Sequence, residues 1–455
     1  MSRAGRESLA SLDDEFYLRG SFQTHLPVVV IGEGNVAGFF TEDEPLTAKA
    51  INRGTLVRGD CTVQWSEGAL EGKPKREKAD YSLHITGNCK TALEEKFWGE
   101  PVLDDWYLLG GMYDKSLLRN YLALTLAEEM DIAVYRVKHC EVFVEGESGY
   151  RYEGVYLLAA PAVTDSYHIQ RGNYWDADSL PLDTYATRRR LVSEGLYVSS
   201  MRPVDAAEFS KMEFYVDSAE ACIYSSDYNE FSKYKQYLDL TKVYDYFIVY
   251  ELFGNYSAGH LPRYFYSSES HKLWPVVLAD FEFAVDNEQT RPLAADDMEM
   301  IFTPYYQPLT KSYNFLDGLV RRYHLLKQDT LKNSNLAARI DRIAADLGES
   351  QERDWQRWSA MYNSLDMYDL AQTENPLGPE YPPLNRNTYF YEQEINKLKF
   401  TLRNHGDHMF SGIAELYTQD DMVGNDASYV LNAGFALLFL GVIILSVRVV
   451  RHRTR

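Results

Sequence analysis

Two carboxylates at the end of a short apolar stretch are the clearest candidates for chemistry in this chain. Asp280 and Glu282 follow the apolar run 273–278 and lie two residues apart. In an extended backbone, residues two apart share one side, so both carboxylates can face one ligand. Mg²⁺ is usually held by one or two carboxylates together with phosphate oxygens of a substrate. The spacing therefore favours a Mg²⁺ site, and the alternative is a pair of solvated acids at a strand end.

Two cations form a second candidate. Lys115 and Arg119 are four residues apart and follow Asp114, a residue type that often caps the start of a helix. Residues four apart lie on one face of a helix, so both side chains could reach the phosphates of one ligand. Long basic side chains also often lie along apolar surface or pair with nearby acids. The residue types leave both interpretations open.

The elements that must position the carboxylates can be predicted from local patterns. Apolar residues at helical spacing over 243–252 predict a helix that ends before Asn255, and a loop containing Gly and Pro follows. The stretch 263–278 predicts a hairpin, because two apolar runs flank a polar turn. The acidic pair at the end of this hairpin is therefore expected to lie opposite the Asn255 loop.

The rest of the chain divides into a part rich in strands and a part rich in helices. Strands are predicted at 25–31, 55–59 and 81–85, a hairpin at 133–160, a helix opened by Asp114 as its N-cap, and later helices at 315–347, 351–361 and 389–416. This order predicts an α+β fold in which a mixed sheet precedes a mainly helical part.

Charge and length limit the classes of function. The chain has 455 residues, with 46 Lys and Arg against 67 Asp and Glu, which gives a formal net charge of −21. A strongly acidic surface repels phosphate backbones, so nucleic acid is not an expected partner. The length allows two or three domains of average size, or one large body with two lobes.

A membrane-spanning helix is predicted near the C-terminus. The nineteen residues 429–447 carry no charge, and at about 1.5 Å per residue they nearly span a hydrocarbon core of about 30 Å. Acidic residues precede this stretch and four arginines follow it from Arg448 onward. The positive-inside rule therefore predicts a cytoplasmic tail and a body outside the cell. The polar start of the chain does not resemble a signal peptide.

Cysteines and histidines give no specific metal motif. Cys61, Cys89, Cys140 and Cys222 are too far apart for a CxxC zinc site, so disulfides and buried free thiols both remain open. His405 and His408 could share a helix face, but a catalytic zinc site needs a third protein ligand.

Several ordered motifs resemble those of the CotH spore-coat kinase family, a group of atypical protein kinases. The most specific is Asp114-Lys-Ser-Leu-Leu-Arg-Asn120 after a strand, and a second is the order helix, Asn-x-x loop, hairpin and Asp280-Phe-Glu282. Leu26-Pro27, Arg58-Gly59 and Lys78-x-x-Tyr81 are similar to the amino-terminal pattern of the family. The resemblance covers roughly residues 26–416.

The resemblance implies roles for single residues. Asp280 and Glu282 would hold Mg²⁺, Lys78, Lys115 and Arg119 would contact the phosphates of ATP, and Asn255 would begin the catalytic loop. Ser257 stands where the family has its catalytic Asp, Pro262 stands where it has a later Asn, and Ala160 replaces an acid. A serine hydroxyl is a poor base at neutral pH, so phosphotransfer is expected to be weak or absent.

These observations together predict an α+β, two-lobed atypical protein-kinase-like (CotH) fold followed by one C-terminal transmembrane helix. The expected parts are a polar N-terminal segment (1–24), a first lobe (25–165), a second lobe with the metal hairpin (166–418), an acidic linker (419–428), the membrane helix (429–450) and a basic tail (451–455). The expected function is binding of ATP and Mg²⁺, with exported or surface proteins as substrates if the kinase is active. The alternative is a non-catalytic surface protein that binds partners.

Overall fold

The computed structural model of the chain describes residues 12, 16–32, 36–40, 46–52, 61–67, 78–87, 89–162, 167–171, 196–199, 206–255, 264–267, 269–279, 281–287, 293–303, 305–364, 388–418 and 422–423. Within these ranges, a seven-stranded sheet holds β1 (Val28–Ile31), β2 (Val36–Phe40), β3 (Cys61–Glu67), β4 (Tyr81–Gly87), β5 (Asp105–Leu109), β6 (Tyr135–Gly146) and β7 (Gly149–Pro161). The strands lie in the order β2-β1-β6-β7-β5-β4-β3, and the end strands β2 and β3 approach each other. The sheet is therefore strongly curled.

A second, smaller sheet contains the hairpin that was predicted to precede the metal site. It contains β8 (Tyr167–Arg171), β9 (Leu196–Ser199), β10 (Tyr264–Ser267) and β11 (Lys272–Pro275), in the order β11-β10-β8-β9. Antiparallel pairing of Tyr264 with Pro275 and of Ser267 with Lys272 confirms the hairpin. Beyond β11, Val277 N donates to Ile132 O at 2.8 Å, so the chain runs beside the segment that leads into β6.

The helices surround these sheets. In the part of the chain that the structure describes, they are α1 (Ala48–Asn52), α2 (Cys89–Phe97), α3 (Arg119–Glu129), α4 (Ala206–Ile223), α5 (Tyr228–Phe231), α6 (Tyr234–Tyr237), α7 (Leu240–Phe253), α8 (Tyr306–Thr310), α9 (Tyr313–Gln328), α10 (Asn333–Leu347), α11 (Glu349–Ser364) and α12 (Tyr391–Glu415). Short 3₁₀ turns lie at Met300–Phe302 and Leu416–Thr418. The predicted helix over 315–347 is thus two helices, because residues 329–332 form a turn between α9 and α10.

Helix α7 is the centre of the helical part. Every side chain from Val243 to Phe253 is buried, and the helix packs against α3, α9, α12 and β11. Apart from the acids Asp245 and Glu251, this buried stretch is apolar or aromatic, and such a helix is stable only inside a core, which explains its position. Gly254 ends the helix with a left-handed φ of 56°, so the chain turns sharply into Asn255.

Helix α11 comes late in the sequence but packs on strand β7 of the first sheet. The contact is close at Gly154, where φ is +110° and an added Cβ would lie 2.3 Å from Asp354 Oδ1. The same carboxylate oxygen accepts a hydrogen bond of 2.8 Å from Val155 N. The helix is therefore joined to the backbone of β7 at a position where a residue without a side chain is required.

Most predicted elements in the described ranges are confirmed. Strands lie at 28–31 and 81–87, the hairpin at 135–161 is present, and α7 covers the predicted helix before Asn255. Residues 55–59 lie outside the described residues. Cys140 and Cys222 are buried free thiols, so for these two residues the structure favours free thiols over disulfides. The side chains of Cys61 and Cys89 lie outside the described part.

The predicted fold class, however, is wrong. The structure shows a mixed α/β fold with a curled sheet, because helices interrupt the strand order and α11 returns to the first sheet. Across the described ranges, no helix has both the length and the apolar character that crossing a membrane requires. The longest of these helices, α12, carries charged residues along its length. Residues 429–450, which we predicted to span a membrane, lie outside the described residues.

Substitution of Gly154 by Ala should destabilise the protein strongly. Gly149 has a similar φ of +118° but no atom within 4 Å of an added Cβ, so Gly149→Ala is the matched control. Backbone strain alone should cost each variant about 1–3 kcal/mol. We expect Gly154→Ala to cost a further ~3 kcal/mol, the scale of breaking a buried ion pair, since the methyl group displaces Asp354. Urea denaturation measures both values, and equal costs would contradict the proposed tight contact.

Candidate functional site

The buried guanidinium of Arg119 is at the centre of the site. It is the first residue of α3, and each of its donor nitrogens has an acceptor within the protein. Nε donates to Ala284 O at 2.8 Å, Nη2 donates to Val285 O at 3.3 Å and to Glu394 Oε1 at 2.6 Å, and Nη1 donates to Asp114 Oδ1 at 2.6 Å and to Ser116 Oγ at 3.3 Å. Arg119 therefore joins the turn before α3, the segment after the predicted metal site, and α12.

The two acids that contact Arg119 compensate its buried charge. Burial alone would raise the pKa of Glu394, but Lys397 and Arg119, with hydrogen bonds from Thr388 and Arg119, lower it to about 2. Burial would likewise lower the pKa of Arg119, and the charges of Glu394 and Asp114 raise it instead. The ion pair of Arg119 and Glu394 therefore stays charged at neutral pH.

The turn at Asp114 differs from the predicted helix cap. Asp114 Oδ1 accepts from Ser116 N at 3.0 Å, as expected, but Oδ2 accepts from Arg119 N at 2.8 Å. The helix begins only at Arg119, and Leu117 has a left-handed φ of 63°. The predicted start was wrong because the carboxylate stabilises a compact turn and a buried arginine rather than the first turn of a helix.

Residues 281–287 form a second turn, here called the acidic turn, which follows Asp280. Phe281 N donates to Asn120 Oδ1 at 2.8 Å, and Val285 N donates to Phe253 O at 2.6 Å. Val285 and Asp286 both have left-handed φ angles, of 53° and 56°. Such backbone persists only where surrounding contacts hold it. Here the beginning of α3 and the end of α7 hold the turn from two sides.

Glu282 lies within the acidic turn and is buried. Its Oε1 accepts from Tyr113 N at 2.6 Å, while Asn287 Nδ2 donates to Tyr113 O at 2.8 Å. The turn and the segment before Asp114 are therefore paired through the Tyr113 backbone. Asp280, the predicted partner of Glu282 in the metal site, lies outside the described residues.

Lys78 has no exposed surface and forms an ion pair with Asp354 of α11, which is equally buried. Nζ donates to Asp354 Oδ1 at 2.7 Å and lies 5.4 Å from the centre of the Tyr156 ring. The second oxygen of Asp354 accepts from Tyr362 OH at 2.7 Å. The lysine is thus held in one orientation by an acid on a helix that packs against the sheet.

Lys115 is buried between the turn at Asp114 and the start of α12. Its Nζ donates to Thr388 O at 3.1 Å, and Trp355 Nε1 of α11 donates to Lys115 O at 3.1 Å. Burial lowers the pKa of Lys115 to about 8, although Glu394 opposes this shift. Lys115 is therefore protonated at neutral pH and begins to lose its proton slightly above neutral pH.

Asn255 is buried and directly follows the end of α7, where its N donates to Tyr250 O at 3.1 Å. Ser257 and Pro262 lie outside the described residues. Because Phe253 bonds Val285, the structure brings the start of the Asn255 loop to the acidic turn. Arg119 and Asn255 thus lie beside the turn that contains Glu282, while Lys78 lies in the separate pair with Asp354.

Asp354 and Glu394 are site residues that the sequence motifs do not single out. A signal for Glu394 exists, because it lies four residues before Leu398, which in turn lies four residues before Leu402, and both leucines are buried on the same helix. An acid in a buried stripe requires a partner. The two histidines considered as metal ligands lie in different environments. His405 is buried, whereas His408 is exposed and its Nδ1 lies 2.8 Å from Asn404 O. Within the described ranges, no group of three His, Cys, Asp or Glu residues could hold a metal ion.

Replacing Arg119 by Met should destabilise the protein by about 3–5 kcal/mol, because two buried carboxylates would lose their partner. Arg321→Met is the control, since this arginine is 77% exposed and should change stability by no more than about 0.5 kcal/mol. Chemical denaturation gives both values. A cost near that of the control would show that Arg119 does not hold the three segments together.

Comparison with known proteins identifies the family. A search among curated proteins gave no match. A family model described as CotH kinase protein matches residues 58–406, which includes the turn at Asp114, the acidic turn and the ion pairs of Lys78 and Arg119. The match covers most of the chain, so the protein belongs to the CotH kinase family.

Proposed function

We propose that this protein binds ATP together with Mg²⁺ beside the acidic turn. The observation that carries the proposal is the buried pair of Lys78 and Asp354, with Nζ and Oδ1 2.7 Å apart. In protein kinases, a lysine that contacts the phosphates is oriented by an acid on a neighbouring helix. Lys78 and α11 have this relationship, and membership of the CotH kinase family supports the same role.

The side-chain chemistry of the residues after β11 suits a hard metal ion. Glu282 supplies carboxylate oxygens in a turn held by Tyr113 and Asn287. Oxygen ligands of this type suit Mg²⁺, which commonly takes one or two carboxylates and completes its shell with phosphate and water. Asp280 and Glu282 would hold the ion, and the ion would neutralise charge on the phosphates. Arg119 and Asn120 keep the backbone of the turn in place.

Phosphotransfer is proposed to be weak or absent. The family position of the catalytic Asp holds Ser257, whose hydroxyl is not a useful base at neutral pH. Pro262 has neither a side-chain amide nor a backbone donor, so it cannot replace the asparagine that assists a second ion. If another acid, such as Glu282, has taken the role of the base, the protein is an active kinase with a protein substrate.

Mg²⁺ and ATP together should stabilise the full chain against heat. A ligand at a hundredfold excess over its Kd adds about 2.7 kcal/mol to the free energy of unfolding. Asp280→Ala should remove most of this increase, whereas Asp296→Ala, which changes an exposed acid close by, should keep it. Differential scanning fluorimetry with and without Mg²⁺·ATP measures the effect. An unchanged shift in Asp280→Ala would contradict the metal assignment.

Transfer of radiolabelled phosphate from ATP by the native chain should not exceed that of Asp280→Ala. A variant with both Ser257→Asp and Pro262→Asn should gain transfer, because it restores an ionised base and a side-chain amide. The opposite result is robust autophosphorylation that is lost in Asp280→Ala and kept in Ser257→Ala. That result would establish an active kinase with a different base.

A further inference from the structure

His405 on α12 is almost fully buried, with a relative exposure of 1%, and both of its ring nitrogens face backbone carbonyl groups. Nε2 lies 2.7 Å from Glu251 O, and Nδ1 lies 3.2 Å from Ala295 O. A carbonyl oxygen only accepts hydrogen bonds, and a neutral imidazole can donate from one nitrogen alone. Both contacts are hydrogen bonds only if the ring carries two protons. The geometry therefore favours an imidazolium ion.

The charge of this ion is balanced locally. Glu251 Oε1 lies 3.7 Å from His405 Nε2, and the carboxylate also accepts from Glu299 N at 3.0 Å and Met300 N at 2.8 Å. Burial would lower the pKa of His405, but the hydrogen bonds and charge of Glu251 and the bond to Ala295 raise it above its ordinary value of 6.5. The buried pair therefore favours the protonated ring.

Other charged and titratable groups surround the neighbouring residues. On α9, Tyr323 OH donates to Gly406 O, and Lys327 Nζ donates to Asp407 Oδ1 at 3.0 Å. The segment that contributes Ala295 also carries Asp296, Asp297 and Glu299. The charged group that pairs directly with the His405 ring is Glu251.

The backbone that His405 contacts is the last turn of α7. Glu251 O accepts from His405 and also from Gly254 N at 2.9 Å. The next residues lead to Asn255 on one side and, through Phe253 O, to Val285 of the acidic turn. Close approach of the two helices depends on Gly406, where an added Cβ would lie 2.9 Å from Leu252 Cδ1.

We propose that His405 is a positioning residue of the Mg²⁺·ATP site, which it serves by fixing the last turn of α7 and thereby Asn255 and the acidic turn. It acts through backbone groups and does not contact the ligand. The inference rests on the proposed function, because it gives a task to residues that surround the same site.

The sign of the pH dependence follows from the two acceptors. A group whose pKa is raised by folding stabilises the folded form fully below its unfolded pKa, and this stabilisation is lost as the pH rises through the folded pKa. Above that pH, one carbonyl oxygen would face a nitrogen lone pair and Glu251 would lose its partner. The last turn of α7 should then loosen, and ligand affinity should fall.

Direct observation of the ring tests the first step. In the full chain labelled with ¹⁵N-histidine, the NMR shifts of the His405 nitrogens should show two protons on the ring at pH 6, because the pKa is raised above 6.5, and one proton once the pH has passed the raised pKa. A ring with a single proton at pH 6 would overturn the inference, whether or not the protein binds ATP.

Hydrogen exchange tests the second step. His405→Gln keeps one donor but not the charge, and His408→Gln changes an exposed histidine on the same helix. At pH 6, exchange at Gly254 and Asn255 should be about tenfold faster in His405→Gln than in wild type, the scale of one hydrogen bond to a charged group. His408→Gln should match wild type. Equal acceleration along the whole of α7, or none at Gly254 and Asn255, would overturn the positioning role.

Affinity for Mg²⁺·ATP tests the link to function. The ratio of Kd in His405→Gln to Kd in wild type should be about tenfold at pH 6 and should approach one as the pH rises. Titration of ATP and of Lys115 changes the Kd of wild type and of His405→Gln alike, so its effect cancels in this ratio. A ratio that does not change with pH would overturn the inference. Absence of binding in wild type at every pH would instead contradict the proposed function, while the NMR and exchange results would still decide the state of His405.

Discussion

The need to pair one buried arginine determines how the candidate site is built. Arg119 lies in the interior, where an unpaired charge is strongly unfavourable, and its donors reach Asp114, Glu394 and the carbonyl groups of Ala284 and Val285. The most distant acceptor, Glu394, lies 275 residues from Arg119 in the sequence. The start of α3, the acidic turn and α12 therefore fold as one unit, and the predicted metal-binding backbone belongs to it.

A second set of buried ion pairs joins α11 to the first sheet. Lys78 pairs with Asp354, and the preceding residue, Arg353, makes a bidentate contact with Glu141 of β6, at 2.9 Å and 3.0 Å. Tyr152 OH also donates to Glu141 at 2.7 Å. These contacts give α11 a fixed orientation on the sheet, so the proposed phosphate-contacting lysine has a fixed direction as well. The proposed function and the stability of the fold would thus depend on the same charged groups.

The acidic turn is held from two sides. Tyr113 and Asn120 hold it from the side of α3, and Phe253 holds it from the side of α7. Its two left-handed residues store strain that is tolerated because both sides are fixed. A rigid turn of this kind suits a metal site, since ligands held in advance lose little conformational freedom when the ion binds.

The local pattern of residues by itself determined the elements and the family. The hairpin at 264–275, the long hairpin of β6 and β7, and the helix before Asn255 follow from periodicity, because each depends on neighbours within a few residues. The ordered motifs around Asp114 and Asp280 were sufficient to indicate the CotH family. Only the tertiary structure decided that Asp114 pairs with an arginine instead of capping a helix, that α11 returns to the first sheet, and that Lys78 and His405 have acidic partners. Except for the pair of Asp114 and Arg119, these contacts join residues that lie 154 to 276 positions from each other in the sequence. Their selection depends on which buried charges meet in the folded core, and no short-range pattern contains that information.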